Sequence, residues 1–316
     1  MSISRQISLL ALFTVASAAL SLYWALPSAG LEPAVAQQIL WELRVPRVLL
    51  AAFTGASLAL CGAVLQGFFR NPLVEPGLLG ISAGAGLAAV LVLALGVSSL
   101  WLLPVAAGIG AVLALGLVLL LARRVGARAE NLLLAGIAIN ALAGALINLL
   151  LSLSDNTTLR SATFWLMGSF TLAQKPLLYT SLVLLAVLAV LLFRRAAALD
   201  IWALGEAEAR HLGLDVSRFR RELVWLSAIL VALSVAQAGS IGFIGLLGPH
   251  LARRVVGQAH RHLLPAALWL GAALAVWADL LARSLVAPLE LPVGVLTALL
   301  GAPLFLVLFL QRRSWP

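Results

Sequence analysis

The sequence predicts an all-α integral membrane protein that forms a single transmembrane domain over residues 1–316. Two observations predict this fold class: 63% of the residues are apolar and 10% are charged, and the mean hydropathy is +1.09. Soluble domains contain about 45–50% apolar and about 25% charged residues. The composition therefore excludes a soluble enzyme, a nucleic-acid binder and a disordered chain.

The apolar runs predict about ten transmembrane helices, because one span needs about 20 mostly apolar residues. The predicted spans are 7–26, 48–69, 78–97, 99–122, 132–153, 177–193, 222–238, 241–256, 264–286 and 293–311. The first run is expected to be an uncleaved span, because it is longer than the roughly 7–15 apolar residues of a signal peptide.

The basic residues predict that both termini are cytoplasmic. With that topology, all but five of the 21 Lys and Arg residues lie on the inner side, as the positive-inside rule requires. The five outer residues are Arg44, Arg47, Arg160, Lys175 and Arg283. The net charge of +9 is therefore explained by the membrane topology and does not indicate a nucleic-acid partner.

The run that follows Gly239 is short and carries a glycine at every third position, through Gly242, Gly245 and Gly248. This spacing places a bare stripe on one helix face. The stripe predicts either close helix contact or an interrupted helix.

A charged segment on the predicted inner side, residues 200–221, contains a candidate short helix between Gly205 and Gly213. Acidic residues fill its first turn, Glu206 and Arg210 are spaced for an i,i+4 pair, and Gly213 is a typical terminator. The segment is either a docking surface for a cytoplasmic partner that supplies energy or a solvated connector. The second interpretation explains the charge but not the capping pattern.

Several kinds of chemistry are absent from the sequence. The only lysine, Lys175, follows Gln174, so the chain has no Gly-Lys-Ser/Thr phosphate-binding loop. The only cysteine, Cys61, lies in an apolar run, which excludes a disulfide framework and a thiolate metal cage. We predict no catalytic residue and no metal site.

Asp279 is the only acidic residue inside a long apolar run, and Arg283 lies one turn further along the same helix face. An ion-driven carrier needs ionisable groups near the membrane midplane, so a secondary transporter that depends on Asp279 is one alternative. A helix-stabilising pair near the outer end is the favoured interpretation. The other acidic residues, Glu75 among them, fall in loops or at span edges.

Ordered motifs run from about residue 40 to the C-terminus. They include Arg44-Val-Pro-Arg47, Asn71-Pro-Leu-Val-Glu-Pro-Gly-Leu-Leu-Gly80, Leu212-Gly-Leu214, Gly239-Ser-Ile-Gly-Phe-Ile-Gly245, Asp279-Leu-Leu-Ala-Arg283 and Glu290-Leu-Pro-Val-Gly294. Together they resemble the FecCD-type permeases, the membrane subunits of bacterial ABC importers for ferric siderophores, haem and cobalamin.

The resemblance implies a type II ABC importer-like fold of ten helices, assembled as a homodimer in the bacterial inner membrane. The translocation path would lie at the dimer interface. Two cytoplasmic subunits would bind ATP-Mg, and a periplasmic or lipoprotein substrate-binding protein would dock outside. This chain itself would bind no cofactor.

The resemblance also assigns roles to residues at the two ends of the helices. Arg44, Arg47 and Arg283 match outer arginines that pair with acids of the binding protein; alternatively, they snorkel to lipid headgroups. Asn71 and Leu73 match a turn at the cytoplasmic end of the path and are candidate gate residues, although Asn71-Pro72 is also an ordinary helix terminator.

The family's coupling helix, which sits in a groove of the ATPase, matches one short segment of this chain. Its residues are Gly205, Glu206, Ala207, Glu208, Ala209, Arg210, His211, Leu212, Gly213 and Leu214.

The motifs favour haem or another iron chelate as substrate, with cobalamin as the alternative. Ala138-Ile-Asn-Ala-Leu-Ala-Gly144 is most similar to haem-type members, whereas Glu75-Pro-Gly-Leu-Leu-Gly80 also fits cobalamin members. No histidine is predicted on the outer side or at the midplane, which removes the usual axial ligand for haem iron.

Overall fold

The computed structural model of the chain describes residues 2–24, 32–96, 101–125, 129–171 and 173–311, and these contain helices and turns but no β-strand. The helices are α1 (Ile3–Tyr23), α2 (Pro33–Gln38), α3 (Val45–Phe68), α4 (Ile81–Ala94), α5 (Leu102–Val125), α6 (Ala129–Leu153), α7 (Asn156–Leu166), α8 (Lys175–Phe193), α9 (Ala196–Ala203), α10 (Glu206–His211), α11 (Val216–Ala238), α12 (Ile244–Val256), α13 (His260–Ser284) and α14 (Val293–Gln311). A π-helical turn, Ile39–Arg44, leads into α3, and a 3-10 turn, Pro76–Leu79, precedes α4.

A helix lies in every predicted apolar run. Within the described ranges, six helical segments are long and apolar enough to cross a membrane, so the chain is a multi-pass membrane protein. They are α1, Pro33–Phe68, α5, Glu130–Leu153, α8 and α13. The full number of crossings and the side on which the termini lie stay predictions. Arg128, Arg312 and Arg313, which the predicted topology places inside, lie outside the described residues.

The centre of the fold is an antiparallel pair, α3 and α13, whose backbones touch through glycines. A Cβ atom on Gly55 would lie 2.1 Å from the carbonyl oxygen of Gly271, and one on Gly271 would lie 2.3 Å from that of Gly55. Small residues permit this approach, which replaces the hydrophobic driving force that helices lack in lipid. The residues at the two ends of α3 and α13 are therefore held in fixed positions relative to each other.

The two ends of this pair serve below as landmarks. The "Arg47 end" holds Arg44, Arg47 and Arg283, and the "Trp202 end" holds Trp202 and the first turn of α13. With 24 residues in α3 and a rise of about 1.5 Å per residue, the helix alone separates the ends by about 36 Å.

Two helices begin in the middle of the bundle and not at an end. Pro76 packs on Gly245, which also lies against the carbonyl oxygen of Leu58, halfway along α3. The segment before α4 therefore turns back to mid-depth, and α12 starts there too, after the non-helical residues 239–243. Both outcomes predicted for the glycine stripe are present: the helix is interrupted at Gly239, and Gly245 makes the close contact. Discontinuous helices of this kind are typical of transporters.

Candidate functional site

The Arg47 end is organised around one buried carboxylate, that of Asp279, whose side chain is 1% exposed. Arg47 Nε donates a hydrogen bond of 2.8 Å to Asp279 Oδ1. The predicted pair with Arg283 is present, with Nε 3.6 Å from Asp279 Oδ2. The shorter contact is therefore the one between α3 and α13.

A second acid, Glu290, joins this cluster from the turn before α14. Arg47 Nη1 lies 3.0 Å from both Glu290 carboxylate oxygens. Thr171, in the segment between α7 and α8, donates its hydroxyl to Glu290 Oε2 at 3.4 Å. Sequence reasoning assigned Glu290 no role, although it begins the Glu290-Leu-Pro-Val-Gly294 motif.

The other two arginines hold the end of α1. Arg44 Nη1 donates to the carbonyl oxygens of Leu22 at 2.9 Å and Trp24 at 2.8 Å. Arg283 Nη2 donates to the hydroxyl of Ser21 at 2.7 Å and also to its carbonyl oxygen. The three predicted docking arginines thus form one cluster, held by protein groups.

At the opposite end, α10 is a short, exposed helix that projects from the bundle. It starts after Gly205, at a φ of 127°, and ends before Gly213, at a φ of 85°, backbone conformations that glycine adopts most readily. The predicted i,i+4 pair is present, with Arg210 Nη2 2.6 Å from Glu206 Oε1. Of the helix residues only Ala209 is buried, so nearly the whole surface of α10 is available to a partner.

The base of this projection is fixed by Trp202, which sequence reasoning missed. Its indole Nε1 donates a hydrogen bond of 2.7 Å to the carbonyl oxygen of Phe68, the last residue of α3. The ring stacks on Phe68 at 5.8 Å and packs at 5.8 Å against Phe219 at the start of α11. Arg70 completes the cluster, 5.9 Å from the indole centre.

A histidine gives the same segment a second attachment. His260 is the first residue of α13, and both its backbone N–H and its Nδ1 contact Asp200 Oδ1, at 3.0 and 2.6 Å. The segment that carries α10 is therefore tied to the ends of both central helices.

Asn71 and Leu73, the candidate gate residues, form a compact turn. Asn71 Oδ1 accepts a hydrogen bond of 3.0 Å from the backbone N–H of Leu73, the side-chain geometry of an ordinary Asx turn. Nearby, the buried amide oxygen of Gln66 accepts a 2.6 Å hydrogen bond from Arg253 on α12. The helix-terminator interpretation of Asn71 is thus visible in the geometry.

Glu75 lies in a loop, as expected, but that loop reaches the centre of the bundle. Its carboxylate accepts a hydrogen bond of 2.5 Å from the backbone N–H of Phe243, immediately before α12, where the helix dipole favours negative charge. Glu75 also lines a cavity of about 380 Å³. Polar side chains from Ser82, Asn140 and Ser240 line the same cavity.

A larger cavity, of about 680 Å³, opens near the Arg47 end. Its wall includes Arg160, Phe164, Trp165, Gln174, Gln237 and Glu290. Among the described residues, the buried Oε1 of Gln237 has no hydrogen-bond donor.

The helix α7, which forms part of this wall, is capped by Asp155. The backbone N–H of Thr158 donates a hydrogen bond to the Asp155 carboxylate, and hydrogen bonding by Thr158 lowers the pKa of that carboxyl.

The sequence profile of the FecCD transport family matches residues 6–311. The chain belongs to this family. It is accordingly an ABC-importer permease of the FecCD type, and no enzyme family is indicated. Within the described residues, no three His, Cys, Asp or Glu side chains are grouped to hold a metal ion.

Two relatives of this FecCD permease are named for different substrates. The hemin transport system permease protein HmuU of Yersinia pestis is 45% identical over 278 residues, 86% of this chain and 83% of that protein. The vitamin B12 import system permease protein BtuC of Klebsiella pneumoniae is 42% identical over 293 residues, covering 92% and 88%. The substrate is therefore not decided by similarity.

Solved structures agree on the fold of the permease. An inward-facing metal-chelate type ABC transporter matches with a TM-score of 0.90 and 37% identity, over 98% of this chain and 99% of that one. PsaBC from Streptococcus pneumoniae, solved with a Fab, matches with a TM-score of 0.59 and 19% identity, over 86% and 92%. The second likeness concerns the fold alone.

Proposed function

We propose that this permease is the transmembrane subunit of a binding-protein-dependent ABC importer that carries an iron chelate, haem or a ferric siderophore, across the bacterial inner membrane. The observation that carries the proposal is the likeness to the inward-facing metal-chelate type transporter over 98% of the chain. In this proposal the Arg47 end faces outward, the Trp202 end faces the cytoplasm, and two copies of the chain enclose the path.

Energy comes from two separate ATP-binding subunits, which hold ATP-Mg and contact α10. The support is geometric: α10 projects from the bundle, and Trp202 and His260 tie its base to the ends of α3 and α13. A movement of α10 is thereby transmitted to α3 and α13. Reversing a 1:99 preference between outward and inward forms takes about 5.5 kcal/mol, which substrate binding alone does not supply to a weakly binding path.

The binding protein docks at the Arg47 end, where its carboxylates meet Arg44, Arg47 and Arg283. The clustering of these three side chains supports this assignment, since guanidinium groups fit carboxylates well. Asn71 and Leu73 close the cytoplasmic end of the path. Burial of Asp279 between two arginines supports a structural role for that acid over ion coupling.

Cobalamin is the alternative substrate, favoured by relatives such as the Klebsiella pneumoniae permease. The discriminating experiment reconstitutes the complete complex in liposomes and compares ATPase stimulation by haem, ferric siderophores and cobalamin. Stimulation by haem or a siderophore alone supports an iron chelate. Stimulation by cobalamin alone supports the alternative. Uptake that persists without ATP and stops when the ion gradient collapses contradicts the importer class.

A further inference from the structure

Arg47 holds two acids in very different surroundings. The Asp279 side chain is 1% exposed and accepts a hydrogen bond from Nε of Arg47, whereas the Glu290 side chain is 47% exposed and contacts Nη1 of Arg47. Loss of the first pair leaves a buried charge without compensation, which is strongly unfavourable. Loss of the second leaves an exposed carboxylate that water can solvate, so this loss is much less unfavourable. Of these two acids, only Glu290 can give up its place beside Arg47 to another carboxylate.

We infer that Glu290 is an internal substitute for the docking carboxylate: it occupies Arg47 in the free permease, and a carboxylate of the binding protein displaces it. This inference rests on the proposed docking role of the Arg47 end. Asp279 is then the positioning residue that keeps the guanidinium in place while its outer partner changes.

The charges at this end favour exchange over simple addition. The guanidinium groups of Arg47 and Arg283 lie beside two carboxylates, those of Asp279 and Glu290, so the charges of these four side chains already balance. A further carboxylate added at Arg47 would be repelled by Glu290, which contacts Nη1 through both of its oxygens. Departure of Glu290 removes this repulsion and frees Nη1 for the incoming carboxylate.

One contact of Glu290 and its position in the chain connect its release to the rest of the molecule. Glu290 bonds to Thr171 in the segment between α7 and α8, and it forms part of the wall of the 680 Å³ cavity. It also stands three residues before Val293, where α14 begins. Gly294 at that start packs on the carbonyl oxygens of Met167 and Ser240. Exchange at Arg47 thus loosens the segment before α14, which forms part of this cavity's wall.

The first test measures docking of the soluble substrate-binding protein from the same gene cluster onto the complete transporter in nanodiscs. Glu290→Gln removes the competing charge, so the Kd should fall by about fivefold at low salt. Glu42→Gln is the matched control, because Glu42 is also exposed at this end and pairs with Lys175 instead. It should leave the Kd unchanged. A Glu290→Gln Kd equal to or above that of wild type overturns the inference.

A double-mutant cycle shows whether Arg47 mediates the effect. The background combines Arg47→Gln with Asp279→Asn, so that the buried carboxylate is not left as a charge without its partner. In this background Glu290→Gln should no longer tighten docking, because the shared guanidinium is gone. Tightening of the same size in both backgrounds assigns the effect to general charge and overturns the exchange.

The second test observes the released segment directly. A nitroxide introduced after Leu289→Cys reports from a position that is 69% exposed. Docking should increase its mobility in the wild-type background, and Glu290→Gln should do so without the binding protein. Unchanged mobility in both samples contradicts the inference.

Different results would contradict the docking role of the Arg47 end and the exchange of Glu290. If Arg44→Glu with Arg283→Glu leaves docking unaffected, the docking assignment itself is wrong. If that variant weakens docking while Glu290→Gln changes neither affinity nor mobility, only the exchange is overturned.

Discussion

The indole N–H of Trp202 donates to the carbonyl oxygen of Phe68 at 2.7 Å, which joins the base of α10 to the last residue of α3. The other end of α3 carries Arg47, so one buried helix connects the two surfaces proposed for partner docking.

Trp202→Phe should separate folding from coupling. The phenyl ring keeps the stacking on Phe68 but leaves its carbonyl oxygen without the indole donor, at a cost of about 1–3 kcal/mol. We expect a folded permease whose transported substrate per ATP is clearly reduced. Trp202→Ala should lower the free energy of unfolding by about 3–5 kcal/mol. Thermal unfolding in detergent and transport-to-ATPase ratios measure the two effects, and unchanged ratios in Trp202→Phe argue against this contact in coupling.

Charge reversal of Glu206, Glu208 and Arg210 together should uncouple ATP hydrolysis from transport, because the exposed surface of α10 changes while its buried Ala209 does not. ATPase activity and uptake are measured on the same liposomes. Glu130→Lys, an exposed change in the first turn of α6, is the control and should retain wild-type coupling. Wild-type coupling in the triple variant removes the docking role of α10.

Arg44→Glu with Arg283→Glu should weaken docking of the binding protein and make the residual docking less sensitive to salt, since fewer attractive charges remain to be screened. Titrations at low and high salt measure this. Arg160→Glu, a change outside the cluster, should have a much smaller effect. Equal docking of the double variant and wild type at low salt supports headgroup snorkelling as the role of these arginines.

Asp279→Asn should destabilise the fold without making transport depend on an ion gradient. It leaves Arg47 and Arg283 without their buried counter-charge, and loss of one member of a buried pair costs about 3–5 kcal/mol. Chemical denaturation measures the loss. A variant of wild-type stability that has lost gradient-driven uptake would instead favour the secondary transporter.

Gly62→Ala should be destabilising although alanine favours helices. The added Cβ would lie 1.8 Å from the carbonyl oxygen of Gly245, and overpacking of this kind costs about 1–3 kcal/mol. Gly108→Ala in α5 is the control: its Cβ meets nothing within 4 Å, so the change should be neutral or stabilising by up to about 1 kcal/mol. A stable Gly62→Ala protein would show that α3 and α12 separate easily.

Features that depend on local spacing could be predicted from the sequence. The Glu206–Arg210 pair, the break at Gly239 and the helix in each apolar run all follow from distances of a few residues along the chain. Arg47 and Asp279 are separated by 232 positions, so only the fold brings them together, and the sequence indicated Arg283 as the one neighbour of Asp279.

The mid-depth position of Glu75 could not be predicted for a related reason. Asn71-Pro72 ends a helix, and a polar turn after a span normally stays at the surface. Here Pro76 instead fits against the bare surface of Gly245. That fit depends on a glycine in a different helix, which no local pattern connects with residue 75.

The glycine contact between α3 and α13 has a mechanical consequence. With the Cβ position of Gly55 only 2.1 Å from a backbone oxygen of its neighbour, there is no side chain to reorient and no gap to close. We therefore expect α3 and α13 to move as one rigid body during a transport cycle. We then expect bending at the breaks before α4 and α12, where Gly80 and Gly239 have positive φ angles.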